Sequence, residues 1–339
     1  MSATSEAPEK LKSAERSFSW YGTALKATLA LERAEVSGGG SEMATRQRAL
    51  EIAPEGIIIR QAREEDAGEC GRICHAAFTQ INLKHGFPPD FPNAEVATGV
   101  LSTLFRHPGF YCVVAEAHGK LIGSNCLDER TPIAGVGPIT VDPETQNKSV
   151  GRGLMQAVLK RAEEKKFAGV RLLQAAFHNR SLSLYTKLGF DAREPISAMQ
   201  GPPINRQMEG YRIRGVKMSD LEACNRLCSA VHGHHRGGEL VDAINDGSAV
   251  AVQRGGHITA YATGLGFFLH AVAETNEDLE ALIASAKEFQ GPGILVPTRN
   301  AELFRWCLHN GLRVVEPMTL MTIGLYNEPR GAYLPSITF

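Results

Sequence analysis

Displaced by 154 residues, the chain falls on itself: Ile59-Arg60 on Ile213-Arg214, Asp66 on Asp220, Cys70 on Cys224, Arg72 on Arg226 and Cys74 on Cys228. The same strand-to-helix unit opens two halves. Val113 to Gly123 resembles Val250 to Ala260 at an offset of 137, and Asn179 to Phe190 echoes Asn300 to Leu312 with a one-residue gap. Three echoes in one order indicate a tandem duplication whose second copy is shorter around its first two helices. At about 150 residues per domain, 339 residues hold both copies and an additional segment.

That segment is residues 1–42, a helical appendage with Leu11, Phe18, Leu25 and Leu29 on one side, running into Ser37-Gly38-Gly39-Gly40-Ser41. Its acidic residues argue against an organelle transit peptide. The copies then occupy 43–205 and 206–339. Lys+Arg 36 against Asp+Glu 37 leaves no general basic field for nucleic acid or an anionic membrane. No apolar run approaches the ~18 residues of a membrane span, so a cytoplasmic protein is expected. Seven cysteines, with Cys70/Cys74 and Cys224/Cys228 at helical spacing, read as reduced, buried thiols. His232-Gly233-His234-His235 has no Cys or carboxylate at a ligand spacing and reads as a polar helix end, so no metal is expected.

The first copy alternates strands and helices. Ile57 to Ile59 forms a strand, and a helix follows through Ile73 and Phe78. A second helix covers Asn93 to Phe105. Strands Phe110 to Ala115 and Leu121 to Asn125 join at His118-Gly119. The strand Ile133 to Val141 contains Gly135, Gly137 and Pro138, and since proline cannot donate to a ladder it should splay from a neighbour. A helix over Val150 to Lys165, a strand over Val170 to Ala176, and a helix from Asn179 to Leu188 complete an α/β pattern.

Chemistry concentrates in Val141-Asp142-Pro143-Glu144-Thr145-Gln146-Asn147-Lys148-Ser149-Val150-Gly151-Arg152-Gly153-Leu154, a turn carrying a strand straight into a helix. The first N–H groups of a helix have no intrahelical partner, and the helix dipole adds about half a positive charge there. An anionic phosphate fits such a junction. Gly151 and Gly153 admit close approach, and Lys148 and Arg152 add mobile charge. The spacing matches neither the P-loop nor the dinucleotide fingerprint.

This turn resembles the signature of the GCN5-related N-acetyltransferase (GNAT) superfamily, Gln/Arg-x-x-Gly-x-Gly/Ala opening a helix. Gln146, Val150 and Gly151 fit, and Ser149 occupies the first glycine position. A second landmark of the family resembles Asn179-Arg180-Ser181-Leu182 leading to Tyr185, Leu188, Gly189 and Phe190. The resemblance covers about residues 56 to 200 and implies two tandem acyl-CoA N-acyltransferase folds, the second without the signature. It further implies that Gln146, Lys148, Ser149, Val150, Gly151, Arg152, Gly153 and Leu154 cradle the diphosphate of acetyl-CoA, and that Ile139, Thr140 and Val141 offer free backbone to the pantetheine arm. Asn179 is implied as a contact to that arm, with a plain helix cap as its other reading. Tyr185 matches the position of a donor to the departing thiolate, with ring packing as its other reading.

A neutral amine must attack the thioester, so a carboxylate or a water chain must first take a proton from it. Glu129, with Glu116 and Asp128, lies in or just after strands near the expected cleft. The loop from Lys84 to Pro92 is rich in proline and phenylalanine and sits where acceptor specificity is expected. In the second half, Ala273-Glu274-Thr275-Asn276-Glu277 replaces the glycine turn with acids that would repel a diphosphate. The implied function is acetyl transfer from acetyl-CoA to a small-molecule or peptide amine. The alternative is a non-catalytic acyl-CoA sensor that engages a protein partner, and a homo-oligomer is compatible with either.

Overall fold

A computed structural model of the chain describes residues 50–53, 56–145 and 149–338. The expected appendage at 1–42 lies outside them. The first half builds β1 (Leu50–Ala53), β2 (Ile57–Gln61), α1 (Ala67–Lys84), α2 (Ala94–Arg106), β3 (Phe110–Ala117), β4 (Lys120–Asp128), β5 (Ile133–Val136), β6 (Thr140–Val141), α3 (Val150–Glu164), β7 (Gly169–Ala175), α4 (Asn179–Lys187) and β8 (Asp191–Gln200). Asn93 caps α2 by accepting from the Val96 N–H at 2.9 Å. His118 and Gly119 both take positive φ, which closes a two-residue hairpin between β3 and β4.

The second half repeats the series as β9 (Arg212–Gly215), α5 (Leu221–His232), α6 (Gly237–Asn245), β10 (Val250–Arg254), β11 (His257–Ala262), β12 (Ala271–Ala273), α7 (Asn276–Ser285), β13 (Ile294–Pro297), α8 (Ala301–His309) and β14 (Arg313–Gly324), followed by β15 (Ala332–Leu334). The duplication extends to single atoms. The Arg60 guanidinium grips both oxygens of Asp66 at 2.7 and 2.8 Å, and Arg214 grips Asp220 at 2.6 and 3.0 Å. Asp66 and Asp220 each also accept a backbone N–H, from Arg63 and Lys217, at 2.8 Å. All seven cysteines are buried and unbridged.

Helices cover both faces of the first sheet. Leu154, Met155 and Val158 of α3 pack on Ile59, Val113 and Leu172. Cys70, Cys74, Ala97 and Leu101 of α1 and α2 close the opposite face against Val114. Each fully buried Leu, Ile or Val there contributes about 1.5–3 kcal/mol of transfer free energy.

The two copies are not side by side. One sheet runs β1-β2-β3-β4-β5-β7-β14-β8-β13, with β6 paired to β4, and a second runs β15-β12-β11-β10-β9. Thus β14, the last repeated strand of the second half, lies between β7 and β8, while β8 pairs with β13 of the second half. Each copy has given its last repeated strand to the other. The division expected near residue 205 therefore separates the halves in sequence but not in the sheet. Among the described residues no helix is long and apolar enough to cross a membrane.

Candidate active site

The strand expected over 133–141 is broken in two where its glycines and proline lie. β5 pairs with β7 only as far as Gly135 opposite Arg171, and β6 pairs with β4 alone. Beyond that point β7 and the 136–141 segment part. Gly135 can have no side chain because the backbone carbonyl of Thr338 presses on it, which brings the C-terminal segment to the mouth of the gap. A cavity of about 810 Å³ opens there, walled by Val136–Val141 on one side and Leu172–Ala175 on the other. One side of β7 here pairs with β14, and the side facing the gap has no strand partner.

The same cavity reaches the start of α3. Ser149, Val150, Gly151 and Arg152 line it. The first amide to close the helix is that of Gly153, donating to the Ser149 carbonyl at 3.0 Å, and the N–H groups of Val150, Gly151 and Arg152 precede it. A Cβ added to Gly151 would meet only Leu184 and Val141, both at 3.7 Å. These features suit a diphosphate whose attached chain continues into the strand gap.

Ser149 is held at φ 62°, the left-handed region that the signature's glycine would occupy without a side-chain penalty. A serine there costs about 1 kcal/mol. Ser149→Gly is expected to raise unfolding free energy by about that amount, read from urea melts.

Ile139, Thr140, Val141, Ser149, Val150, Gly151, Arg152 and Tyr185 meet at one cavity. Gln146 and Lys148 lie outside the described residues. Three residues assigned to the cofactor do not line the cavity. The amide of Gly153 is spent in the helix, Leu154 is wholly buried in the core, and Asn179 is an exposed first residue of α4, with His178 in the capping position. Tyr185 is buried at the cavity wall, and burial pushes its phenol above the usual range, so it remains a protonated donor.

The expected base requires correction. Glu129 does not face the cavity: Arg161 of α3 holds both its oxygens at 2.6 and 3.1 Å. Glu116 accepts from Arg60 at 3.3 Å, and Asp128 is buried against Arg130 at 2.6 Å. The acids that do line the cavity are Asp90, from the loop after α1, and Glu316, from the exchanged strand β14. Both are shifted upward, first by burial: Glu316 to about 9, with Asp90 adding to the rise, and Asp90 to about 6 despite a hydrogen bond from Asn82. Sequence reading missed Glu316, although an acid inside Val-Val-Glu-Pro-Met-Thr-Leu-Met was a visible signal.

The second copy has lost the equivalent anion site. The buried Asp278, third residue of α7 as Arg152 is of α3, receives Arg254 at 3.0 and 2.9 Å, Thr259 at 2.6 Å and Thr275 at 2.8 Å. Burial would raise its carboxyl, but these partners outweigh that and hold it below the usual range. The start of α7 is closed by the chain itself, the Thr275 hydroxyl accepting the Asp278 N–H at 3.2 Å and the Asp278 carboxylate engaging the side chains around it. His232 and His234, expected at a polar helix end, are instead buried, and burial together with nearby Arg236 keeps both neutral.

The profile of the Acetyltransferase (GNAT) family matches residues 78–190. A mycothiol acetyltransferase of Nocardia farcinica is 28% identical over 154 residues, 44% of this chain and 50% of that protein. A mycothiol acetyltransferase of Tsukamurella paurometabola is 27% identical over 152 residues, 42% of this chain and 51% of that protein. The chain thus spans about half the length of each of these relatives. Among solved structures, a putative acetyltransferase from Pyrococcus horikoshii superposes with a TM-score of 0.67 at 16% identity, covering 84% of this chain and 95% of that one. A GCN5-related N-acetyltransferase from Sphaerobacter thermophilus does so at 0.54 and 16%, covering 82% and 98%. The fold is thus built twice and is shared with acetyltransferase structures, and residues 78–190 match the Acetyltransferase (GNAT) family.

Proposed function

We propose that the protein transfers an acetyl group from acetyl-CoA to a primary amine of a small molecule or peptide, by direct attack of the amine on the thioester. One observation carries this reading: a single cavity joins the open start of α3 to the gap between β7 and the 136–141 segment. The amides of Val150, Gly151 and Arg152 would hold the diphosphate, and the free edges of the gap would hold the pantetheine arm and aim the thioester inward. As the amine attacks, charge grows on the carbonyl oxygen, and a preorganised backbone N–H near Val141 would stabilise it. The C–S bond then breaks, and the Tyr185 phenol would donate to the departing thiolate.

Thiol release from acetyl-CoA with an amine library tests the reading. Release with none of the amines would favour the sensor alternative, and absence of acetyl-CoA binding would end both. Because a thiolate is a weakly basic leaving group, near 8.5 for a cysteine-like thiol, acid assistance is modest. Tyr185→Phe is expected to lower kcat about tenfold with KM for acetyl-CoA unchanged. An unchanged kcat would leave Tyr185 as a packing residue.

A further inference from the structure

Glu194-Pro195 in β8 and Glu316-Pro317 in β14 stand 122 residues apart, as do Ile196 and Met318, which face each other in the β8–β14 ladder. The Ala176 N–H donates to the Pro317 carbonyl and the Thr298 N–H to the Pro195 carbonyl, both at 3.0 Å, the same bond in each copy. Glu194 and Glu316 are therefore equivalents related by the duplication, and each is 3% exposed.

Their surroundings differ. Glu194 is held by Arg299 and by the Tyr333 hydroxyl. The Ala176 and Thr298 bonds and the caps His178 and Asn300 fix the offset here at 122, one more than Asn179 over Asn300 suggests. The position equivalent to Arg299 in the first copy is therefore Phe177, stacked on Phe87 at 4.3 Å between ring centroids. No described residue forms a hydrogen bond or ion pair with the Glu316 side chain, which lines the cavity. Asp90 lines it too and accepts from Asn82 at 2.9 Å. A buried carboxyl with no partner is costly to keep, and its twin shows that this fold can satisfy one at that position.

We propose that Glu316, donated across the strand exchange and flanked by Asp90, forms the acceptor site of the first half, binding a primary ammonium group and taking its proton. The proposal rests on the acetyltransfer reading and narrows its substrate class. The acceptor carries its amine on an apolar or aromatic body, with no acid on the carbon bearing the nitrogen. Phe78, Phe91, Phe268 and Phe267 form a chain of rings at 6.0, 6.4 and 5.7 Å along the cavity. Rings of this kind favour both a cation and an apolar body, whereas a carboxylate beside the amine would face two acids.

Glu316's carboxyl, at about 9, is close to the ~10 of a free alkyl ammonium, so proton transfer between them is nearly level in free energy. Of the three ammonium protons, one passes to Glu316 before attack and one remains as the amide N–H. The third leaves the tetrahedral adduct as the C–S bond breaks and ends on the CoA sulfur. Lys84, Arg152, His178 and Arg180 are the cationic or titratable basic groups lining the same cavity, and burial holds His178 below its usual value.

The test uses the full chain, with phenethylamine and L-phenylalanine as acceptors in a thiol-release assay and acetyl-CoA calorimetry alongside. Wild type should prefer phenethylamine at least tenfold in kcat/KM, with a limb rising toward pH 9. Glu316→Gln should abolish that limb and lower phenethylamine turnover at least 100-fold. Phe177→Arg, which recreates the pairing held by the other copy, should lower it similarly. Acetyl-CoA affinity should stay within twofold in both variants. If wild type binds acetyl-CoA but turns over neither amine, prefers phenylalanine, or loses nothing in these variants, the acceptor assignment is overturned while the cofactor reading stands. If wild type binds no acetyl-CoA, both fall. Should Glu316→Gln fail to fold by circular dichroism, Phe177→Arg and the wild-type preference decide the question.

Discussion

Gly151→Asp is expected to bind acetyl-CoA at least 100-fold more weakly than wild type while folding as well. The new side chain has room, since a Cβ at this position meets only Leu184 and Val141 at 3.7 Å. An acid in the first turn of a helix also suits the dipole, by about 0.5 kcal/mol, so the unliganded variant should melt at or slightly above wild type. The same carboxylate would sit on the amides that a diphosphate needs, and would repel it at close range. A 100-fold loss corresponds to about 2.7 kcal/mol. Gly151→Ala, which adds bulk without charge, should lose no more than about tenfold. Calorimetry that finds equal affinity for Gly151→Asp and wild type would move the phosphate cradle away from α3.

Glu316→Gln should also be more stable than wild type at neutral pH, by about 4 kcal/mol in denaturant melts of unliganded protein. Burial raises the folded-state carboxyl to about 9, whereas in the unfolded chain it titrates near ~4.3. The folded state therefore holds its proton more tightly. Below the unfolded value both states are protonated and the group contributes no difference. As pH rises from there the unfolded state ionises first, and stability declines until the folded carboxyl itself ionises near 9. By pH 7 the span is roughly 2.7 pH units at 1.36 kcal/mol each. Asp90 adds a smaller decline of the same sign that ends near 6. A stability difference between variant and wild type that stays flat from pH 4 to 9 would mean that Glu316 is solvated. The expected slope would be the stability cost of a group kept for reaction rather than for folding.

Much of this molecule was legible in the sequence because its signals are local. Asn93 three residues before Val96, His118-Gly119 between apolar runs, and Gly135, Gly137 and Pro138 within one strand each act on their own neighbourhood. The duplication was legible because Arg60 and Asp66 recur as Arg214 and Asp220 and make the same paired bonds. The proposed base was not legible. Glu129 lost that role to Arg161, 32 residues away, whose position depends on how α3 lies across β4. Glu316 reaches the cavity only because β14 lies beside β7, a pairing no local pattern encodes. The twin Glu-Pro pairs were the available clue, and their meaning emerged from the register that sets Ile196 against Met318.

The reciprocal exchange of β8 and β14 also bears on why a half with a sealed anion pocket is still present. Deleting it would strip the neighbour of β7 and expose a raw hydrogen-bonding edge, and would remove Glu316 with it. Neither copy can be shed without orphaning the other. The second copy's own chemistry was thereby free to decay while its final strand stayed indispensable, so ancestry is recorded here as mutual custody of a single ribbon of backbone.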